Sequence, residues 1–173
     1  ADIISTEKQY ETAIETALGG KIQNVVTDDE DTAKEMIRYL KVNKLGRATF
    51  LPLTAMKDRD WDGGAARGEK GFINVASKLV KADPKYGGLV NHLLGRIIVV
   101  DKVDDAISIQ RKNSYEFRIV TLEGEFLSSG GSMSGGAFKN SSNLLGRKRE
   151  IEDIEAEIKS IEKTIAESEN KVE

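Results

Sequence analysis

The chain contains no cysteine, which excludes disulfides and thiolate metal sites. A single histidine, His92, leaves no multi-histidine metal centre to build. Long apolar runs are missing as well. The best stretch, Leu93 to Val100, is short and broken by Arg96, far below membrane-spanning length, so no membrane partner is expected. The N-terminus lacks the basic-then-apolar order of a signal peptide, which makes the cytosol the default compartment. An initiator methionine is lacking too, pointing to a processed chain or a piece of a longer one. Excess positive charge is also absent. From Arg147 onward there are six basic and nine acidic side chains, which carry the whole net charge of −3; the body before them holds 20 of each sign. A neutral body argues against overall coating of nucleic acid, a contact made mainly by phosphate neutralisation. A local basic patch stays open.

What is present reads as one unit occurring twice. Tyr10, Ala13, Ile14, Ala17 and Leu18 have helical spacing, and Gly19-Gly20 supplies a left-handed stop. Ile22 to Val26 is a short β-branched strand. Asp28 to Asp31 then open a helix through Ala33, Met36, Ile37 and Leu40, where first-turn carboxylates oppose the positive end of the dipole. Gly46 closes this unit and Ala48 to Leu51 forms the next strand, ending at Pro52. In the second half, Val90, Leu93 and Leu94 end a helix at Gly95, and Ile97 to Val100 is a strand. Asp101, Asp104 and Asp105 open a helix through Ala106, Ile107 and Ile109, and Phe117 to Val120 follows as a strand. The fold class is therefore α/β with mixed sheets: two related helix–strand–helix–strand lobes about a pseudo-twofold axis. The expected body is 1–146, with lobe one at about 7–56, a linking loop at 57–70 and lobe two at 71–138. That polar, glycine-rich loop contains Trp61, either an exposed binding residue or a buried anchor.

Beyond Gly146 the pattern changes. Ile151, Ile154, Ile158, Ile161, Ile165 and Val172 fall on alternating steps of three and four, with Ser168 at the remaining core position. This narrow seam is a heptad pattern, so 147–173 is expected to begin a coiled-coil arm. At 1.5 Å per residue it would be about 40 Å long. Its covering helix is either a second chain or a segment upstream of Ala1.

Ser129 to Gly136 is the densest motif. One reading is a phosphate cradle of converging N–H groups, although the Gly-Lys-Ser/Thr ending of a P-loop is missing. A second is a flexible linker. The third is close backbone contact, in which Gly130, Gly131, Ser132, Gly135 and Gly136 let another chain approach or extend a sheet.

Taken together, Glu15-Thr16-Ala17-Leu18-Gly19-Gly20, Leu45-Gly46-Arg47-Ala48-Thr49-Phe50-Leu51-Pro52-Leu53, Leu93-Leu94-Gly95-Arg96, Phe117 to Gly124, Gly130 to Gly136 and Leu144-Leu145-Gly146-Arg147 resemble the hinge domain of structural maintenance of chromosomes (SMC) proteins, the bacterial type above all. The resemblance implies a homodimerising hinge at the apex of an intramolecular coiled coil, with the glycine doublets at the interface. It implies an upstream arm helix as partner for the seam, a nucleoid-associated cytoplasmic setting, and ATPase heads outside this segment. It also implies DNA contact near the body–arm junction, where Lys139, Arg147, Lys148 and Arg149 cluster; the bland alternative is a solvated helix start. Neither a cofactor nor a metal is expected, and no Ser/His/Asp order suggests catalysis within the segment. The alternative to the hinge is an α/β ligand- or phosphate-binding module with a glycine-rich linker.

Overall fold

The computed structural model describes residues 2–137 and 144–169, apart from the side chains of Lys148 and 166–169. Strand β1 (Ile4–Thr6) leads through a 3-10 turn into α1 (Glu11–Leu18). Gly19, at φ +53°, stops the helix as expected. The chain then winds through a 3-10 turn, Gly19–Gln23, and the predicted strand begins later, as β2 (Val25–Thr27). Helix α2 (Glu30–Val42) is opened by Asp29, whose carboxylate accepts the Thr32 N–H at 2.8 Å. That bond and the Thr32 hydroxyl hold the Asp29 pKa down, so the acidic run here serves as a helix cap. Strand β3 (Phe50–Pro52) lies parallel to β2.

After the loop come β4 (Phe72–Val75), β5 (Val80–Ala82), α3 (Gly87–Leu94), β6 (Ile97–Val100), α4 (Val103–Lys112), β7 (Arg118–Thr121), β8 (Phe126–Leu127), β9 (Met133–Ser134) and α5 (Leu144–Glu169). The five-stranded sheet has the order β4-β6-β7-β8-β9, with β6 and β7 parallel and the other pairs antiparallel. Strands β1 and β5 form a separate antiparallel pair, Ile4 opposite Ala82.

The repeat is visible in the hydrogen bonds. Helix α2 ends with Asn43 N–H on Tyr39 O and Leu45 N–H on Leu40 O; α4 ends with Asn113 N–H on Ile109 O and Tyr115 N–H on Gln110 O. Asn43 and Asn113 each return their side-chain amide to the same carbonyl, and the residue after each, Lys44 or Ser114, has φ +53°. Both ends are the same Schellman-type cap.

Strand β6 is buried along its whole length, as expected for a parallel strand covered on both faces. Ile97, Val99 and Val120 pack with Ala13, Ile14, Leu18, Val90 and Leu94, so α1 and α3 cover one face. Ile98, Val100 and Ile119 pack with Ala106, Ile109 and Ala66, so α4 and the 57–70 loop cover the other. Trp61 is half-buried there, beside Phe117. Helix α1, first in chain order, thus rests on the sheet of the second half.

Candidate self-association surface and arm base

The glycine cluster forms the β8–β9 hairpin and its exit. Ser128 N–H donates to Ser132 O at 2.9 Å, and Gly131 N–H to Ser128 O at 3.1 Å. Gly130 and Gly131 turn the chain at φ +88° and +92°, and Gly136 leaves it at φ +138°. Gly130 N–H also donates to Tyr115 O at 2.8 Å, while the Tyr115 ring lies 3.2 Å from where a Gly131 Cβ would stand. Three of the four glycines therefore have a conformational reason within their own chain. Gly135 has no positive φ, and a Cβ there would meet Glu125, whose Cγ would lie 3.0 Å away.

Within the hairpin, Leu127 is opposite Met133 and Phe126 opposite Ser134. Since Ser128 bonds to Ser132, the alternation of an antiparallel ladder turns the Met133 N–H and C=O away from β8, toward the open edge. Met133 is 52% exposed, and no described strand follows β9.

The first half is open in a complementary way. Strand β3 is the counterpart of β7, yet the place that β8 takes beside β7 is empty beside β3 among the described residues. Helix α2 lies over the β2–β3 pair and buries only Ala33. Met36, Ile37, Tyr39, Val42 and the following Leu45 are 43% to 71% exposed. An apolar group of that size, beside an unpaired sheet edge, marks an interaction surface.

At the base of α5, Leu145 is buried against the core that contains Ile14. Two carboxylates one helical turn apart on α1, Glu11 and Glu15, receive the arm. Glu15 accepts the Leu145 N–H at 2.5 Å, an anion at a helix N-terminus. Burial raises the Glu15 pKa; the Leu145 and Leu144 N–H groups oppose this, Glu11 adds to it, and the Arg147 charge opposes it. Glu11, 6% exposed at its side chain, pairs with Arg149 Nε at 2.7 Å, and Arg149 reaches Asp153 at 3.2 Å. The Glu11 bond holds the Arg149 pKa up. Of the expected DNA-contacting residues, Arg149 is thus engaged within the chain and Arg147 is exposed with its charge felt at Glu15. Lys139 and the Lys148 side chain lie outside the described residues. Along α5, Ile151, Ile154, Ile158, Ile161 and Ile165 are 49% to 56% exposed, a seam uncovered in the single chain; Val172 and the Ser168 side chain lie outside the described residues. Sequence reasoning gave Glu11 and Glu15 no site role, because they look like the solvated positions of any amphipathic helix.

The family model described as the SMC proteins flexible hinge domain matches residues 1–110. The chain belongs to the SMC hinge family. This hinge is 46% identical over 169 residues to the chromosome partition protein Smc of Bacillus subtilis (strain 168), matching 95% of the chain and 14% of that protein. It is 43% identical to the Smc protein of Clostridium kluyveri (strain NBRC 12016), again over 95% of the chain and 14% of the relative. The hinge therefore spans about a seventh of the length of these relatives. Among solved structures, an asymmetric dimer of the Geobacillus stearothermophilus SMC hinge domain superposes with a TM-score of 0.84 at 42% identity, covering 95% of this chain and 67% of that one. The Pyrococcus furiosus Smc hinge domain with an extended coiled coil gives 0.67 at 32% identity, covering 98% and 62%. The mixed α/β architecture with a C-terminal helix is that of SMC hinges.

Proposed function

We propose that this chain is the homodimerising hinge of a chromosome-partition SMC protein, holding together two coiled-coil arms. The observation that carries this reading is the complementarity of two open sheet edges. Strand β9 of one copy presents the outward Met133 N–H and C=O; the β2–β3 pair of a second copy lacks the neighbour that β7 has. Adding β9 beside β3 would extend the sheet between chains, cover the apolar side of α2, and repeat by twofold symmetry to close the dimer. Gly130 and Gly136, where a Cβ would meet nothing within 4 Å, leave room for the second chain. The asymmetric dimer of the related Geobacillus stearothermophilus hinge domain supports the reading. The isoleucine seam of α5 would pack against a second, arm-forming helix.

The absence of cysteine makes cross-linking a direct test. Met133→Cys combined with Cys at Thr49, Phe50 or Leu51 should give a covalent dimer with a short bismaleimide, and each single variant should not. Failure at all three positions contradicts the β9–β3 pairing. DNA contact at the arm base would involve Lys139, Arg147, Lys148 and Arg149. Reversing the charges of the first three should abolish a salt-sensitive DNA shift; an unchanged shift removes the patch.

A further inference from the structure

Along 58–62, aspartates alternate with Arg59 and Trp61, and the two sets go to different partners. Asp58 accepts a hydrogen bond from Asn91 Nδ2 at 2.8 Å. Asp60 pairs with Lys78. Asp62 accepts the Gly64 N–H at 3.0 Å and pairs with Arg67 at 3.3 Å. Trp61 instead turns toward the sheet, its ring centre 5.5 Å from that of Phe117 and 5.4 Å from the Arg96 guanidinium.

Three arginines gather at this end of the five-stranded sheet. Ile97 and Arg118 are register partners, so Arg96 and Arg118 stand at the N-terminal ends of adjacent parallel strands. Gly95, in the turn before β6, lies so close to the Arg59 carbonyl that a Cβ would come within 2.5 Å of it. That contact straps Arg59 across the same sheet end. Arg118 is half-buried; burial lowers its pKa and the Arg59 charge lowers it further. Among the described residues no carboxylate pairs with Arg59, Arg96 or Arg118. The three aspartates of 58–62 are already engaged elsewhere.

Like charges brought together without a counter-charge are unfavourable, and a half-buried guanidinium loses part of its hydration as well. The fork of a guanidinium matches an oxyanion. One face of the Trp61 ring is approached by Arg96, and a Gly64 Cβ would stand 3.2 Å from the ring, so this tryptophan is not a free platform for base stacking. Recognition here is by charge. We propose that Arg59, Arg96 and Arg118 form an oxyanion site for a phosphate group, at the sheet end bordered by Trp61. Its ligand is either the phosphodiester of a nucleic acid backbone or free phosphate. The site uses no residue of β9 or of the arm base.

Trp61 is the only tryptophan, so its fluorescence reports the site directly. The full chain would be titrated with inorganic phosphate, and separately with a short DNA duplex, at constant ionic strength set with chloride. A saturable change in emission is expected, and Arg118→Gln or Arg96→Gln should weaken it by about tenfold. Arg147→Glu with Lys148→Glu should leave the phosphate response unchanged, which separates this site from the arm base. A response to DNA alone assigns the phosphodiester; a response to phosphate as well assigns the oxyanion generally. Arg59 and Arg96 are exposed, so their glutamine variants keep the test valid should Arg118→Gln misfold. No response to either ligand, or an undiminished one in the Arg59→Gln, Arg96→Gln double variant, overturns the proposal. So does equally tight binding of polyglutamate.

Discussion

Replacing Gln110 with leucine tests how the β8–β9 hairpin is held. Gln110 is 1% exposed, and its Nε2 donates to Phe117 O, at the entry to β7, and to Ser128 O at 3.2 Å, at the start of the hairpin turn. Its Oε1 is buried with no partner among the described residues. Leucine preserves much of the volume but withdraws both donors. Phe117 O is left without that donor, at roughly 1–3 kcal/mol, while Ser128 O keeps the Gly131 N–H and loses one bond, at roughly 0.5–1.5 kcal/mol; losing the partnerless Oε1 returns roughly 1–2 kcal/mol. At the middle of those ranges the balance is a destabilisation of about 1.5 kcal/mol, a substantial part of the roughly 5–15 kcal/mol typical of a domain. At this chain length that lowers Tm by roughly 3–6 °C. Urea melts would read the loss. Hydrogen exchange at Gly130 and Gly131 should quicken more than at β6 amides, because the turn is untied locally. Gln110→Glu, which cannot donate when ionised, should be worse than leucine. A leucine variant as stable as the parent would mean that the buried Oε1 outweighs both bonds, and the reasoning would fail.

Two further outcomes concern the arm base. Glu15 holds its proton more tightly in the folded chain than in the unfolded one, so its part of the stability falls as pH rises from the ordinary glutamate value through the raised folded value. Urea melts between about pH 4 and 7 should show the parent losing stability relative to Glu15→Gln across that window, and parallel curves would contradict the shift. Leu145→Ala removes a side chain buried against α1 and should cost about 2–4 kcal/mol by the same melts; a loss below about 0.5 kcal/mol would mean that α5 is not anchored there.

The elements that were legible in the sequence are those whose signal is local. Helices α1, α2, α3 and α4 have apolar spacing and acidic or glycine punctuation of their own, and β6 is a continuous β-branched run. Strands β1, β4, β5, β8 and β9 have only two to four residues each, and they exist because a partner lies beside them. Nothing near Ile4 announces Ala82. The predicted Ile22–Val26 strand started early because the run after Gly19 coils once more before extending. At the candidate sites, the glycine doublets were visible, but their left-handed φ values give them work within the chain that composition does not reveal. In the sequence Arg149 stood in a basic cluster expected to contact DNA, and nothing there announced Glu11, which the fold brings against it from 138 residues away. Trp61 stood out in the linking loop, but which side it and its neighbouring aspartates take depends on Lys78, Asn91 and Phe117.

The most direct measurement is molar mass in solution by light scattering across a dilution series, for the parent chain and for Met133→Pro. Proline removes the outward N–H of β9 while leaving the bonds to β8 in place. The parent should show twice 19.0 kDa and dissociate only at high dilution, whereas the proline variant should shift toward 19.0 kDa at concentrations where the parent is still paired. A parent that is monomeric throughout, or a proline variant that dimerises as tightly, would contradict self-association through the β9 edge.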